Sequence, residues 1–139
     1  MSLLIASSIT AVVFLAGDFF IIPLVMRPLF KAALGNQMLD TLRLGPAALF
    51  YIIHISGLVY FAVLPAIRMG KASLGALNGA IFGLVTYSCY EMTSWTIMRD
   101  WNASLVVIDM GWGTLLSGSA AWAGAVAAAR AQSSNGAKN

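Results

Sequence analysis

Four ionisable side chains interrupt long apolar runs of this sequence: Asp18, His54, Glu91 and Asp109. A carboxyl group can serve as general acid or base, help hold a cation or carry a proton, and an imidazole can act in acid–base chemistry or as a ligand. Hydrogen-bonding residues recur beside them at helical spacing. Tyr87, Glu91, Ser94 and Trp95 share a helix face, with Tyr90 and Thr93 adjacent, and Asp109 shares another with Trp112 and Gly113. Tyr51 lies one helical turn before His54. Such groups can satisfy buried carboxyls. The candidate acid–base residues are therefore Asp18, Glu91 and Asp109, and the candidate ligand-binding residues are His54, Tyr51, Tyr87, Tyr90, Thr93, Ser94 and Trp112.

Several familiar chemistries are excluded. No lysine lies in an apolar run, so a retinal Schiff base cannot form, and with one histidine there is no bis-His haem. A carboxylate-bridged di-iron bundle needs Glu-x-x-His, but Ser94 stands where that histidine would be. No metal is assigned, and no cofactor is named by these residues. Ser56 or Ser88 with His54 lacks a nucleophile elbow, and phosphate-cradling Gly-rich loops are absent. Cys89 is the only cysteine and falls inside an apolar run, so no disulfide framework exists.

The elements that position these residues follow from composition. Of 139 residues 60% are hydrophobic and 9% charged, against about a quarter charged in soluble domains. The charges cluster between apolar stretches long enough to cross ~30 Å of hydrocarbon as helix. The expected fold is an all-α integral membrane four-helix antiparallel bundle, a single domain over 1–130, with spans at 3–26, 46–67, 74–98 and 103–129. The N-terminus lacks the basic region of a cleaved signal, so the first span is expected to stay in the mature protein. Between the first two spans, Leu34, Met38, Leu39 and Leu42 alternate with polar residues, which suggests a short interfacial amphipathic segment. Residues 131–139 are polar, without apolar periodicity, and are expected to be disordered.

Four spans place both chain ends on one side, here side A. Lys and Arg are balanced between the sides, and Asp40 and Asp100 on side B tip the assignment toward a cytoplasmic side A. Counted from the side B ends of their spans, Asp18, His54, Glu91 and Asp109 all fall roughly 9–12 Å inward. Charges at that depth cost several kcal/mol, so they are expected to face the bundle interior and mark a site. Gly75, Gly79 and Gly83 form a ridge for close helix packing, and Gly113, Ser117 and Ala121 form a second. Packing within the subunit and homodimerisation both remain open for these ridges.

Five short stretches carry a family resemblance: Ala-Ala-Leu-Phe-Tyr at 47–51, Gly-Leu-Val at 57–59, Phe-Gly-Leu-Val-Thr-Tyr at 82–87, Tyr-Glu-Met-Thr at 90–93 and Asp-Met-Gly-Trp-Gly at 109–113. With the acids at 18, 91 and 109, the chain resembles the small bacterial predicted membrane proteins catalogued as domain of unknown function 2177. Ser94 stands where those proteins usually show Asn, and Ile21 where they usually show Trp. The resemblance implies a bacterial inner-membrane setting and an acidic site, but no reaction.

Three functions fit. The leading one is an intramembrane carboxylate/His site that binds or transforms a membrane-soluble small molecule: a lipid, isoprenoid or quinone. The alternatives are an accessory or assembly subunit of a larger membrane complex, and a proton- or ion-coupled small transporter. The expected partners are the lipid bilayer and either a second copy or a larger complex. The net charge of +3 is spread over loops and tail, without the basic run that nucleic acid would need.

Overall fold

The computed structural model describes residues 2–136, with backbone alone at 135 and 136. The described residues are helical, without a strand. Helix α1 (Ser2–Ile21) passes through a π-helical turn, Ile22–Met26, into α2 (Arg27–Leu34) and a short 3-10 turn, Gly35–Gln37. Helix α3 (Leu44–Leu58) continues through a second π turn, Val59–Val63, into α4 (Leu64–Met69). The remaining helices are α5 (Ala72–Ile97) and α6 (Ala103–Gly136). Three helical runs are long and apolar enough to cross a membrane: Ser2–Gln37, Leu44–Met69 and Ala72–Ile97. Helix α6 is long as well, but Asp109 and many Gly, Ser and Ala residues make it less apolar.

Proline and glycine set the breaks. Pro23 lies inside the first π turn, and Pro65 is the second residue after the second. A proline donates no i→i−4 bond and its ring crowds the carbonyl four residues back, and the wider turn relieves that crowding without ending the helix. The first helical run therefore continues beyond Met26, where the sequence suggested a span would stop. Gly35, with φ 53°, ends α2 and opens the 3-10 turn that closes the run, and Gly70, with φ 63°, ends α4. The helix of the first connection is thus Arg27–Leu34, earlier than the segment proposed from Leu34 to Leu42, and residues 38–43 are irregular. Helix α6 runs through Gly136, past residue 130, where the sequence set the end of the domain. Residues 137–139 lie outside the described residues.

Small residues draw the helices together. On α5, Gly75, Gly79 and Gly83 are buried, and their neighbours on α6 run backwards along the chain: Ala121 and Ala125, then Ser117 and Ala121, then Gly113 and Ser117. The two helices therefore pack antiparallel. A Cβ built on Gly79 would sit 2.6 Å from the Ser117 carbonyl oxygen, so only glycine permits this approach. On its other side α6 meets α1, where Gly124 lies against Ala6 and Thr10, and Gly17 against Leu116 and Trp112. The buried residues of α1, Ala6, Thr10, Phe14 and Asp18, repeat every fourth position and form its inward stripe.

Candidate functional site

The inward stripe of each helix ends in polar side chains. On α5 the glycine ridge continues along the same face to Tyr87 and buried Glu91 and Ser94. On α1 it reaches Asp18, and on α3 it holds His54. Asp18 accepts two hydrogen bonds, from Tyr51 Oη to Oδ2 and from Trp112 Nε1 to Oδ1, each 3.1 Å. This carboxyl ties three helices together.

A second network surrounds Glu91, which is fully buried. Trp101 Nε1 donates to its Oε2 at 2.8 Å. Asp109 of α6 is also buried, within electrostatic reach of both Glu91 and Asp18. Glu91 Oε1 is the one polar side-chain atom, among the described residues, both sealed and without a hydrogen-bond partner. Trp101 is itself 3% exposed, in an apolar cluster with Leu105 and Val106 of α6 and with Leu29 and Phe30 of α2. Helix α2 thus covers the side B end of this network.

His54 stands apart from both. Its Nε2 lies 3.4 Å from Ser117 Oγ, and its ring sits among Phe14, Phe50, Phe82 and Tyr87, with centroids 4.7 to 5.9 Å away. Along α6, Trp112 follows Asp109 by about 4.5 Å and Ser117 follows it by about 12 Å. The polar groups therefore form a ladder along α6: Glu91 and Asp109 nearest the α5–α6 connection, Asp18 next, His54 farthest from it. The common depth deduced from the sequence assumed spans that end together. The extended first helix and the earlier start of α3 shift the levels.

Other sequence candidates divide. Tyr87 lies beside His54, with Gly113 giving room for its ring. Tyr90 packs edge-on against Trp101 but is half exposed. Ser94 is buried near the end of α5. Thr93 is exposed, and its hydroxyl donates to the Cys89 and Tyr90 carbonyls of its own helix, so it contributes nothing to the ladder. Trp95 points outward as well.

Two participants were not singled out by sequence, Trp101 and Phe14, and Ser117, the His54 partner, was read only as a packing position. Phe14 precedes Asp18 by one i, i+4 step, a signal present in the sequence. Trp101 sat in an apparent loop beside Arg99 and Asp100, and nothing local shows that it folds back onto Glu91.

An apolar groove opens on the outer surface between α3 and α5. It encloses about 410 Å³ and is walled by Phe50, Ile53, Phe61 and Phe82, with Gly57, His54 and Thr86 completing it. No group of three or more His, Cys, Asp or Glu side chains among the described residues is arranged to hold a metal ion.

No curated protein and no solved structure matches the chain significantly. Residues 3–126 match a family described as predicted membrane protein, and the chain, helical and apolar over most of that length, belongs to this family, domain of unknown function 2177.

Proposed function

We propose that this protein binds a membrane-soluble small molecule in the groove beside His54, with the carboxyl ladder behind it as the source of acid–base groups. The observation that carries this reading is the groove itself: an opening of about 410 Å³ on an otherwise apolar surface that reaches a buried imidazole. Ligand pockets are typically apolar with a few placed polar groups, and polar residues at membrane depth mark sites. In this reading α6 is a fourth span, antiparallel to α1 and α5, with Asp109 turned inward. Helix α2 lies in the side B interface, where exposed Arg27 and Lys31 meet headgroups. Both chain ends then share side A of a bacterial inner membrane. Asp18, already bonded by Tyr51 and Trp112, orients the helices around the site, while Glu91 and Asp109 hold the exchangeable proton.

The test is the composition of the purified protein. Wild type and Gly57→Leu, which fills the groove, are purified in mild detergent, and bound small molecules are quantified by mass spectrometry. A species stoichiometric with wild type and depleted in the variant supports the site. Equal retention, or no stoichiometric species, removes it.

A second reading has its own observation. On the outer side of α5 and α6, Ala76, Ala80, Thr114, Gly118 and Ser119 line a shallow groove next to half-exposed Trp122. Small residues let another helix approach closely, which favours an accessory subunit or a second copy of the chain.

A further inference from the structure

The groove beside His54 has a hydrogen-bond polarity that selects the chemistry of its occupant. Ser117 is fully buried, and its hydroxyl has a single partner among the described residues, His54 Nε2. The direction of this contact follows from the tautomer, and the one that gives the buried Ser117 hydroxyl hydrogen an acceptor has Ser117 donating to Nε2. In the neutral imidazole of that tautomer the other nitrogen carries the proton. Nδ1 has no partner among the described residues, and it is not sealed, since Glu91 Oε1 is the only sealed polar atom lacking one. The free donor of His54 therefore remains reachable from outside the fold.

Depth narrows the class. Helix α3 starts at Leu44 and its run ends at Met69, so His54 sits within about one turn of the centre of a 26-residue span. Phospholipid headgroups stay at the interface, about 15 Å away from the midplane, and only their chains reach this level. An occupant that presents an acceptor here must be uncharged and soluble throughout the hydrocarbon. The lining holds no charged side chain, and the Thr86 hydroxyl is already committed to the Phe82 and Gly83 carbonyls. The walls are aromatic: Phe61 and Phe82 lie stacked with centroids 5.9 Å apart, and Phe50 and Phe82 flank the imidazole at 5.3 and 5.2 Å. Flat ring faces favour a flat ring laid against them.

We infer that the groove takes a lipid of the quinone class, a planar carbonyl-bearing ring with an isoprenoid tail, whose carbonyl oxygen accepts a hydrogen bond from His54 Nδ1. The ring lies against Phe50 and Phe82, and the tail leaves past Ile53 and Phe61 into the bilayer. Gly57 keeps the floor open: a Cβ there would sit 2.7 Å from the Phe82 ring. This rests on the groove being the binding site, as proposed above, and adds the class of ligand.

Because His54 is the only histidine, ¹⁵N-histidine labelling gives two ring-nitrogen signals that report on this residue alone. The full chain in phospholipid nanodiscs is titrated with a benzoquinone carrying a short isoprenoid tail, and separately with the ring-less prenyl alcohol of equal tail length. The quinone is expected to shift the Nδ1 signal saturably, with Nε2 little changed, and the alcohol to give no saturable shift. Gly57→Leu should weaken the quinone response by about tenfold or more. Should that variant not fold, Ile53→Trp, which narrows the mouth from the lipid side, must give the same loss. Equal saturation by the alcohol overturns the ring class while leaving the site in place. Saturation that survives in the folded groove variants places the ligand elsewhere and overturns the inference. No response to either compound removes both the inference and the site.

Discussion

The two halves of α5 are held by different forces. From Gly75 to Gly83 the helix meets α6 through bare backbone, with Ser117 and Gly113 carbonyls close to where side chains would begin. From Tyr87 to Ser94 the same face carries polar groups that depend on partners from α6 and from the 98–102 connection. Membrane helices gain little from the hydrophobic effect on associating with one another, because lipid is equally apolar. Contact area and interhelical hydrogen bonds remain. The glycine half uses the first and tolerates almost no added volume. The Glu91 half uses the second and should tolerate a change of charge better than a loss of acceptor.

The strongest way to break this contrast is in the glycine half. Gly83→Leu should separate α5 from α6 and cost about 3 kcal/mol, since backbone rather than a flexible side chain stands in the way. Thermal unfolding in detergent measures it, and stability equal to wild type would contradict the seam. In the polar half, Glu91→Ala leaves the Trp101 Nε1 hydrogen without its acceptor and should cost ~1–3 kcal/mol. Glu91→Gln keeps an acceptor and should lose less; equal melting temperatures for the two would mean that water reaches the site. Tyr51→Phe removes one of two donors to Asp18 and should cost about 0.5–1.5 kcal/mol, without disturbing the Trp112 contact. The smallest effect is expected at Gly111, exposed and with nothing within 4 Å of an added Cβ. Gly111→Ala should leave stability unchanged or raise it by up to ~1 kcal/mol. A large loss there would show that glycine is needed for something other than close approach.

The sequence by itself determined the membrane-helix class and the stripe that carries Gly75, Gly79, Gly83 and Glu91 on α5, but not that Thr93 and Trp95 beside it turn outward. Apolar runs interrupted by single acids allow little but membrane helices, because lipid forces each backbone to satisfy its own hydrogen bonds. The i, i+4 repeat of Gly75, Gly79 and Gly83 placed Glu91 on the same stripe, and helical periodicity is local enough to read directly. What tertiary structure alone decided is which polar group meets which. Trp101 reaches Glu91, Tyr51 and Trp112 share Asp18, and His54 turns to Ser117 because helix lengths, π turns and the rotation of each helix set the register between stripes. A shift of one turn moves a side chain about 5.4 Å along its helix, enough to exchange one partner for another. Local sequence fixes the period of a stripe, but only packing fixes its level against the next.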